Sequence, residues 1–124
     1  MNGLLLDTHA LLWYLESDPR LPPRAKDAIE SGLEVYVSAA SIWEVAIKRG
    51  LGKLEAEPDL IDRINAGFEH LPITQEHAWA TSALPQHHGD PFDRLLVAQA
   101  RAERLPLLSA DPKLRAYDVD IVWD

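Results

Sequence analysis

The side chains best placed to do chemistry in this sequence are carboxylates, and several sit where a carboxylate is costly. Asp7 directly follows Leu4-Leu5-Leu6 in LLLDTHALL, and a charge against a buried apolar run is unfavourable unless something nearby compensates it. Glu44 stands in SIWEVAIK, which is apolar on nearly every side, the mark of a buried helix. Asp93 lies in line with Leu96, Val97 and Ala100 at spacings of three, four and seven, the inward stripe of its helix, while Arg94 and Arg101 mark the outward stripe. Asp111 follows Leu107-Leu108, and Asp90 precedes Asp93 by three.

Some of these acids also have local explanations. Ser41-Ile42-Trp43-Glu44 has the spacing of a helix capping box, and Asp90-Pro91 and Asp111-Pro112 read as caps followed by proline at the first helical position. Repulsion weighs the other way. Carboxylates about 6 Å apart in a half-buried site repel by roughly 3 kcal/mol per pair, so several together take up protons or recruit cations. An all-oxygen set suits hard ions such as Mg²⁺ or Mn²⁺. Such ions activate water and stabilise the leaving oxygen of a phosphodiester.

The elements that must position these acids follow from the hydrophobic pattern. Strands are expected at Leu4–Leu6, Val35–Val37, Leu71–Ile73, Leu107-Leu108 and Ile121–Trp123. Helices are expected over His9–Leu15, Pro22–Ser31, Ser41–Arg49, Asp59–His70, Gln75–Leu84 and Asp90–Arg104, with a helical turn after Asp111. Gly32, Gly50 and Gly52 read as stop signals. Short apolar strands alternating with helices predict a three-layer α/β/α sandwich around a parallel sheet of four to five strands. Ligands in such sheets bind outside the carboxyl ends of the strands, which is where the acids fall.

Composition bounds the reading. At 124 residues, with no internal repeat or linker, the chain is expected to be a single domain. It has no apolar run long enough for a membrane span and no signal-peptide pattern; with no cysteine, a reducing cytoplasm is expected. A net charge of −8 argues against unassisted binding of nucleic acid, unless bound cations neutralise the acidic cluster or a basic partner covers it.

The blocks LLLDTHALLW, SAASIWEVAIKRGLGKL, HHGDPFDRLLVAQA and LLSAD span essentially the whole chain, and with them the chain resembles PIN-domain ribonucleases, specifically the VapC-like toxins of bacterial toxin–antitoxin pairs. The resemblance implies metal-assisted hydrolysis of RNA with Mg²⁺ or Mn²⁺, at an acidic site mapping to Asp7, Glu44, Asp93 and Asp111. Asp90, Thr8 and Ser109 would support those ligands. It further implies dimerisation and a cognate antitoxin whose C-terminal segment lies across the site, with a larger complex between them. Lys48, Arg49 and Lys53 form the densest basic patch and with Arg94 are candidates to guide phosphates, although Lys48, four after Glu44, could equally pair with it.

Competing readings are weaker. Adjacent His87-His88 cannot readily share a tetrahedral ion, which disfavours a histidine zinc site; loop histidines contacting substrate or solvent fit better. A phosphoacceptor receiver would need an aspartate ending the third strand, where Thr74-Gln75-Glu76 stands instead. A non-catalytic PIN-like module that binds RNA or antitoxin, and cleavage of DNA rather than RNA, both remain compatible with the residues.

Overall fold

The computed structural model describes residues 3–123. Its strands are β1 (Gly3–Leu6), β2 (Glu34–Ser38), β3 (Glu69–Leu71), β4 (Leu107–Leu108) and β5 (Ile121–Val122). Every pairing is parallel, and the sheet runs in the order β3-β2-β1-β4-β5. The helices are α1 (Thr8–Leu15), α2 (Pro23–Ile29), α3 (Ala39–Gly50), α4 (Leu60–Gly67), α5 (Gln75–Ala80) and α6 (Pro91–Glu103). Short 3-10 turns add Thr81–Ala83 and Pro112–Ala116.

Because successive side chains of a strand face opposite ways, each leucine run feeds two cores. Leu5 and Leu107 pack with Leu96, Val97 and Leu114 on one face of the sheet. Leu4, Leu6 and Leu108 pack with Leu11, Ala25 and Ile64 on the other. Two cores separated by one sheet make the three layers expected from the sequence. Central β1 is buried along its whole length, as a strand covered on both faces must be.

The boundaries differ from expectation in instructive places. The α3 helix begins at Ala39, capped by Ser38, whose hydroxyl accepts from the Ala40 amide at 2.9 Å. The capping box expected at Ser41–Glu44 therefore does not form; Ser41 is buried inside the helix. Gly50 stays helical, and the turn out comes at Gly52, whose φ of 71° suits glycine. The helix expected to reach His70 ends at Gly67, because Glu69–Leu71 pairs with Tyr36–Ser38 as β3. Pro72, which has no amide to donate, stands just past that strand.

Candidate metal centre

The sheet order reverses about β1: β2 and β3 lie on one side of it, β4 and β5 on the other. That is the switch point at which a parallel sheet opens a crevice beyond its carboxyl ends. Asp7 leaves β1 there and caps α1, one carboxylate oxygen accepting from the Ala10 amide at 2.8 Å. Only 5% of Asp7 is exposed. Burial pushes its carboxyl above the ordinary aspartate value, although hydrogen bonds from Ser109 and the Ala10 amide favour the charged form.

Asp111 enters from β4. Its Oδ1 accepts from the Lys113 amide at 2.9 Å, capping the turn that Pro112 opens. The wholly buried Ser109 accepts from the Asp111 amide at 3.1 Å. Ser109 thus braces the turn that carries Asp111 while lying beside the Asp7 carboxyl. Burial alone would raise the Asp111 carboxyl, but the Lys113 amide and His88 outweigh it and the value is lowered.

The third approach comes from α6. Asp90 is its N-cap, accepting from the Phe92 and Asp93 amides at 2.8 and 3.1 Å, so the capping expectation holds. Asp93, one turn in, faces the crevice with 22% of its side chain exposed, while Leu96, Val97 and Ala100 behind it are buried as their spacing predicts. Burial, then the Asp90 and Asp7 carboxylates, push the Asp93 carboxyl up to about 7, with His88 opposing.

His88 is the site residue that sequence reasoning placed wrongly. Instead of facing substrate or solvent, its Nε2 lies 2.7 Å from Asp111 Oδ2 and 3.2 Å from Asp93 Oδ2. The available signal was its place two residues before the Asp90 cap, where a backward-reaching loop can set it among the acids. The other four histidines disperse: His9 stacks on Trp13, His87 packs against Tyr117, His77 pairs with Glu103, and His70 lies in β3 opposite Val37. Among the described residues no group of histidines forms a metal site of its own.

Glu44 joins the cluster from α3 with both oxygens engaged. Oε1 accepts from the Thr8 hydroxyl at 2.7 Å and Oε2 pairs with Lys48 at 2.8 Å, so the local ion pair is real. Ser41 Oγ lies 3.0 Å from Thr8 Oγ1 and completes this buried contact between α1 and α3. The negative charge of Glu44 still reaches both Asp7 and Asp93.

The basic candidates separate. Lys48 and Lys53 border one groove beside Thr8, His9, Trp13 and Arg20. Arg49 borders a different hollow with Ile42, Pro58 and Ile61. Arg94, expected on the outward stripe, is folded back: its guanidinium donates to the carbonyls of Thr81, Leu84 and Pro85 and to the Tyr117 hydroxyl at 2.8–3.3 Å. With its donors committed to the loop before α6, it is not available to guide phosphates. On α3, Trp43 is 58% exposed and Ile47 and Leu51 are also exposed, an apolar surface beside Glu44.

The donor chemistry fits a hard divalent cation. Asp93 from the start of α6, Asp111 from the end of β4 and His88 from the loop before α6 bring possible ligand atoms within 4.8 Å of one another, and Asp7 at the end of β1 acts on Asp93 electrostatically. The Asp93 carboxyl is raised first by burial and then by the neighbouring Asp90 and Asp7 carboxylates, and a bound cation would relieve the second of these.

The family profile of the PIN domain matches residues 4–120. The chain belongs to the PIN domain family. This PIN domain is 31% identical over 121 residues to Ribonuclease VapC22 of Mycobacterium tuberculosis, covering 94% of this chain and 93% of that protein. Its fold is similar to VapBC2 from Rickettsia felis bound to a promoter DNA fragment, with a TM-score of 0.75, 14% identity and coverage of 98% and 99% of the two chains. It is also similar to a toxin–antitoxin complex from Klebsiella pneumoniae, with a TM-score of 0.67, 25% identity and coverage of 96% and 95%.

Proposed function

We propose that this PIN domain is a divalent-metal-dependent endoribonuclease acting as the toxin of a toxin–antitoxin pair. The observation that carries the reading is the approach of Asp93, Asp111 and His88 within 4.8 Å at the switch-point crevice, with Asp7 close enough to act on Asp93 electrostatically, in a chain 31% identical to a ribonuclease over nearly its full length. Asp7, Asp93 and Asp111 would hold Mg²⁺ or Mn²⁺, with Glu44 adding negative charge from the α3 side. The bound ion supplies Lewis-acid activation of water and neutralises charge on the phosphodiester.

The remaining roles belong to the chain's own groups. Thr8 and Lys48 fix the Glu44 carboxylate, and Ser109, beside the Asp7 carboxyl, holds the Asp111 backbone. Asp90 sets the first turn of α6 and so the place of Asp93. Lys53, exposed and without an acidic partner among the described residues, lies with Lys48 along the groove that would receive the phosphate backbone. The partner is a cognate antitoxin, supported by the Klebsiella pneumoniae toxin–antitoxin complex of the same fold and by the exposed Trp43, Ile47 and Leu51. A homodimer is the expected assembly. No helix among the described residues is long and apolar enough to cross a membrane, which fits action on RNA in the cytoplasm.

Incubation of purified protein with labelled RNA and, in parallel, labelled DNA tests the proposal, with Mg²⁺, Mn²⁺ or EDTA. Metal-dependent RNA cleavage is expected, abolished by Asp7→Asn and by Asp93→Asn. Cleavage that persists in EDTA or in Asp93→Asn would sink the mechanism, and RNA binding without cleavage would leave a non-catalytic PIN-like module.

A further inference from the structure

His88 invites a simple reading as a third metal ligand, since its Nε2 lies with Asp93 and Asp111 oxygens within 4.8 Å. The hydrogen bonds around its ring argue otherwise. The Asp90 backbone amide points at His88 Nδ1 from 3.1 Å. An amide N–H can only donate, so Nδ1 accepts and carries no proton. In a neutral imidazole the proton then sits on Nε2. Nε2–H is a donor with no free lone pair, and the Asp111 oxygen 2.7 Å away is its acceptor.

We propose that His88 is a positioning residue that donates Nε2–H to Asp111 Oδ2, with Asp93 Oδ2 close by, and so fixes the acidic pair without ligating the ion itself. This rests on reading the acidic cluster as a divalent-ion site. The ring is held at three points: its backbone N–H donates to the Tyr117 hydroxyl at 3.0 Å, Nδ1 accepts from Asp90, and Nε2 reaches the carboxylates. Arg94 in turn braces Tyr117 and the Leu84 and Pro85 carbonyls, so the loop before α6 cannot drift without breaking several bonds. The clamp leaves lone pairs on both carboxylates for an ion, and on Asp93 the whole of Oδ1, which no protein donor among the described residues reaches. The chain uses the same device at His77, whose Nδ1 accepts from the Thr74 amide at 3.1 Å while Nε2 faces Glu103 at 2.9 Å.

Two measurements decide. In ¹⁵N-histidine-labelled wild-type protein, the imidazole shifts report the tautomer, with His77 as internal reference. His88 is expected to be protonated at Nε2 both without and with saturating Mg²⁺ or Zn²⁺; an Nδ1–H form on adding either ion overturns the proposal. Calorimetric titration of wild type, His88→Ala and His88→Gln with Mg²⁺ and with Mn²⁺ gives the second readout. His88→Ala should weaken both ions by a similar factor of about 10–100, the usual effect of losing a group that orients a ligand. His88→Gln, which keeps a donor near the Nε2 position, should recover most of that loss. A loss confined to Mn²⁺, the ion that better accepts nitrogen, would make His88 a ligand and overturn the clamp, as would His88→Gln being as weak as His88→Ala. If wild type binds neither ion, the reading of the cluster as a metal site fails first and the clamp falls with it.

Discussion

At Asp93, burial and the Asp90 and Asp7 carboxylates raise the carboxyl to about 7 from an ordinary 3.8. Between those values the folded chain holds a proton that the unfolded chain has released, so folding stability falls as pH rises across that window. Asp7, raised for the same first reason, adds a contribution of the same sign. Asp111 is lowered, so its contribution is present above the unfolded value and lost only as pH falls below 3.8, outside the window. In chelator, the thermal midpoint of the wild type should therefore drop between about pH 4 and 7, and Asp93→Asn should flatten that slope and be the more stable protein near pH 8. Saturating Mg²⁺ should also flatten it, because the cation replaces the proton as counter-charge. Ion affinity measured by calorimetry should accordingly rise with pH up to about 7.

At the scale of elements, the polar side chains that pack helix on sheet set which substitutions are tolerated. Arg94→Ala removes four hydrogen bonds that hold Thr81, Leu84, Pro85 and Tyr117 around the loop before α6. Urea denaturation should show a loss on the order of 2 kcal/mol, and Arg94→Lys should not restore it, because an ammonium lacks the planar fork. Gln99 is wholly buried; it accepts from Ser38 and donates to the Pro72 carbonyl. Gln99→Leu should cost about 1–3 kcal/mol in the same assay by stranding those partners. These residues also mark the limit of what the sequence makes legible. Strands β1, β2, β4 and β5 and the inward face of α6 follow from apolar spacing. Strand β3 forms at Glu69–Leu71 rather than Leu71–Ile73 because it pairs with Tyr36–Ser38, and α3, apolar all round, leaves Trp43 and Ile47 exposed instead of being wholly buried. Asp7, Asp93 and Asp111 could be read because each ends a strand or opens a helix. Arg94 could not, since a helical wheel gives the direction of a side chain but not the loop that folds over it. His88 escaped for a similar reason: its partners come from β4 and α6, and no local pattern encodes a contact between them. The start of α3 was misread because Ser38 and Ser41 are both plausible caps, and only the pairing of β2 decides between them.

Considered whole, the molecule carries a charge of −8 and would have to bind a polyanion. Without divalent ion, RNA affinity should be poor. Non-cleaving Asp93→Asn should gain little from added Mg²⁺ in a filter-binding assay, whereas Asp7→Asn, which leaves the Asp93–Asp111 pair intact, should keep part of the gain. The basic groove of Lys48 and Lys53 sets a second dependence: Lys53→Ala should raise KM for RNA several-fold and leave kcat close to wild type, since it touches no proposed ligand. The sheet order has a consequence for how the chain comes to be active. Leu5 and Leu6 of β1 are paired with Leu107 and Leu108 of β4, so the first strand waits for almost the whole chain before its second neighbour arrives. Closing so long a loop is slow compared with forming helices or local pairs. Asp7 and Asp111 come to the same edge of the sheet only through that closure, so a partly synthesised or partly refolded chain has no assembled acidic site until its last strands have docked.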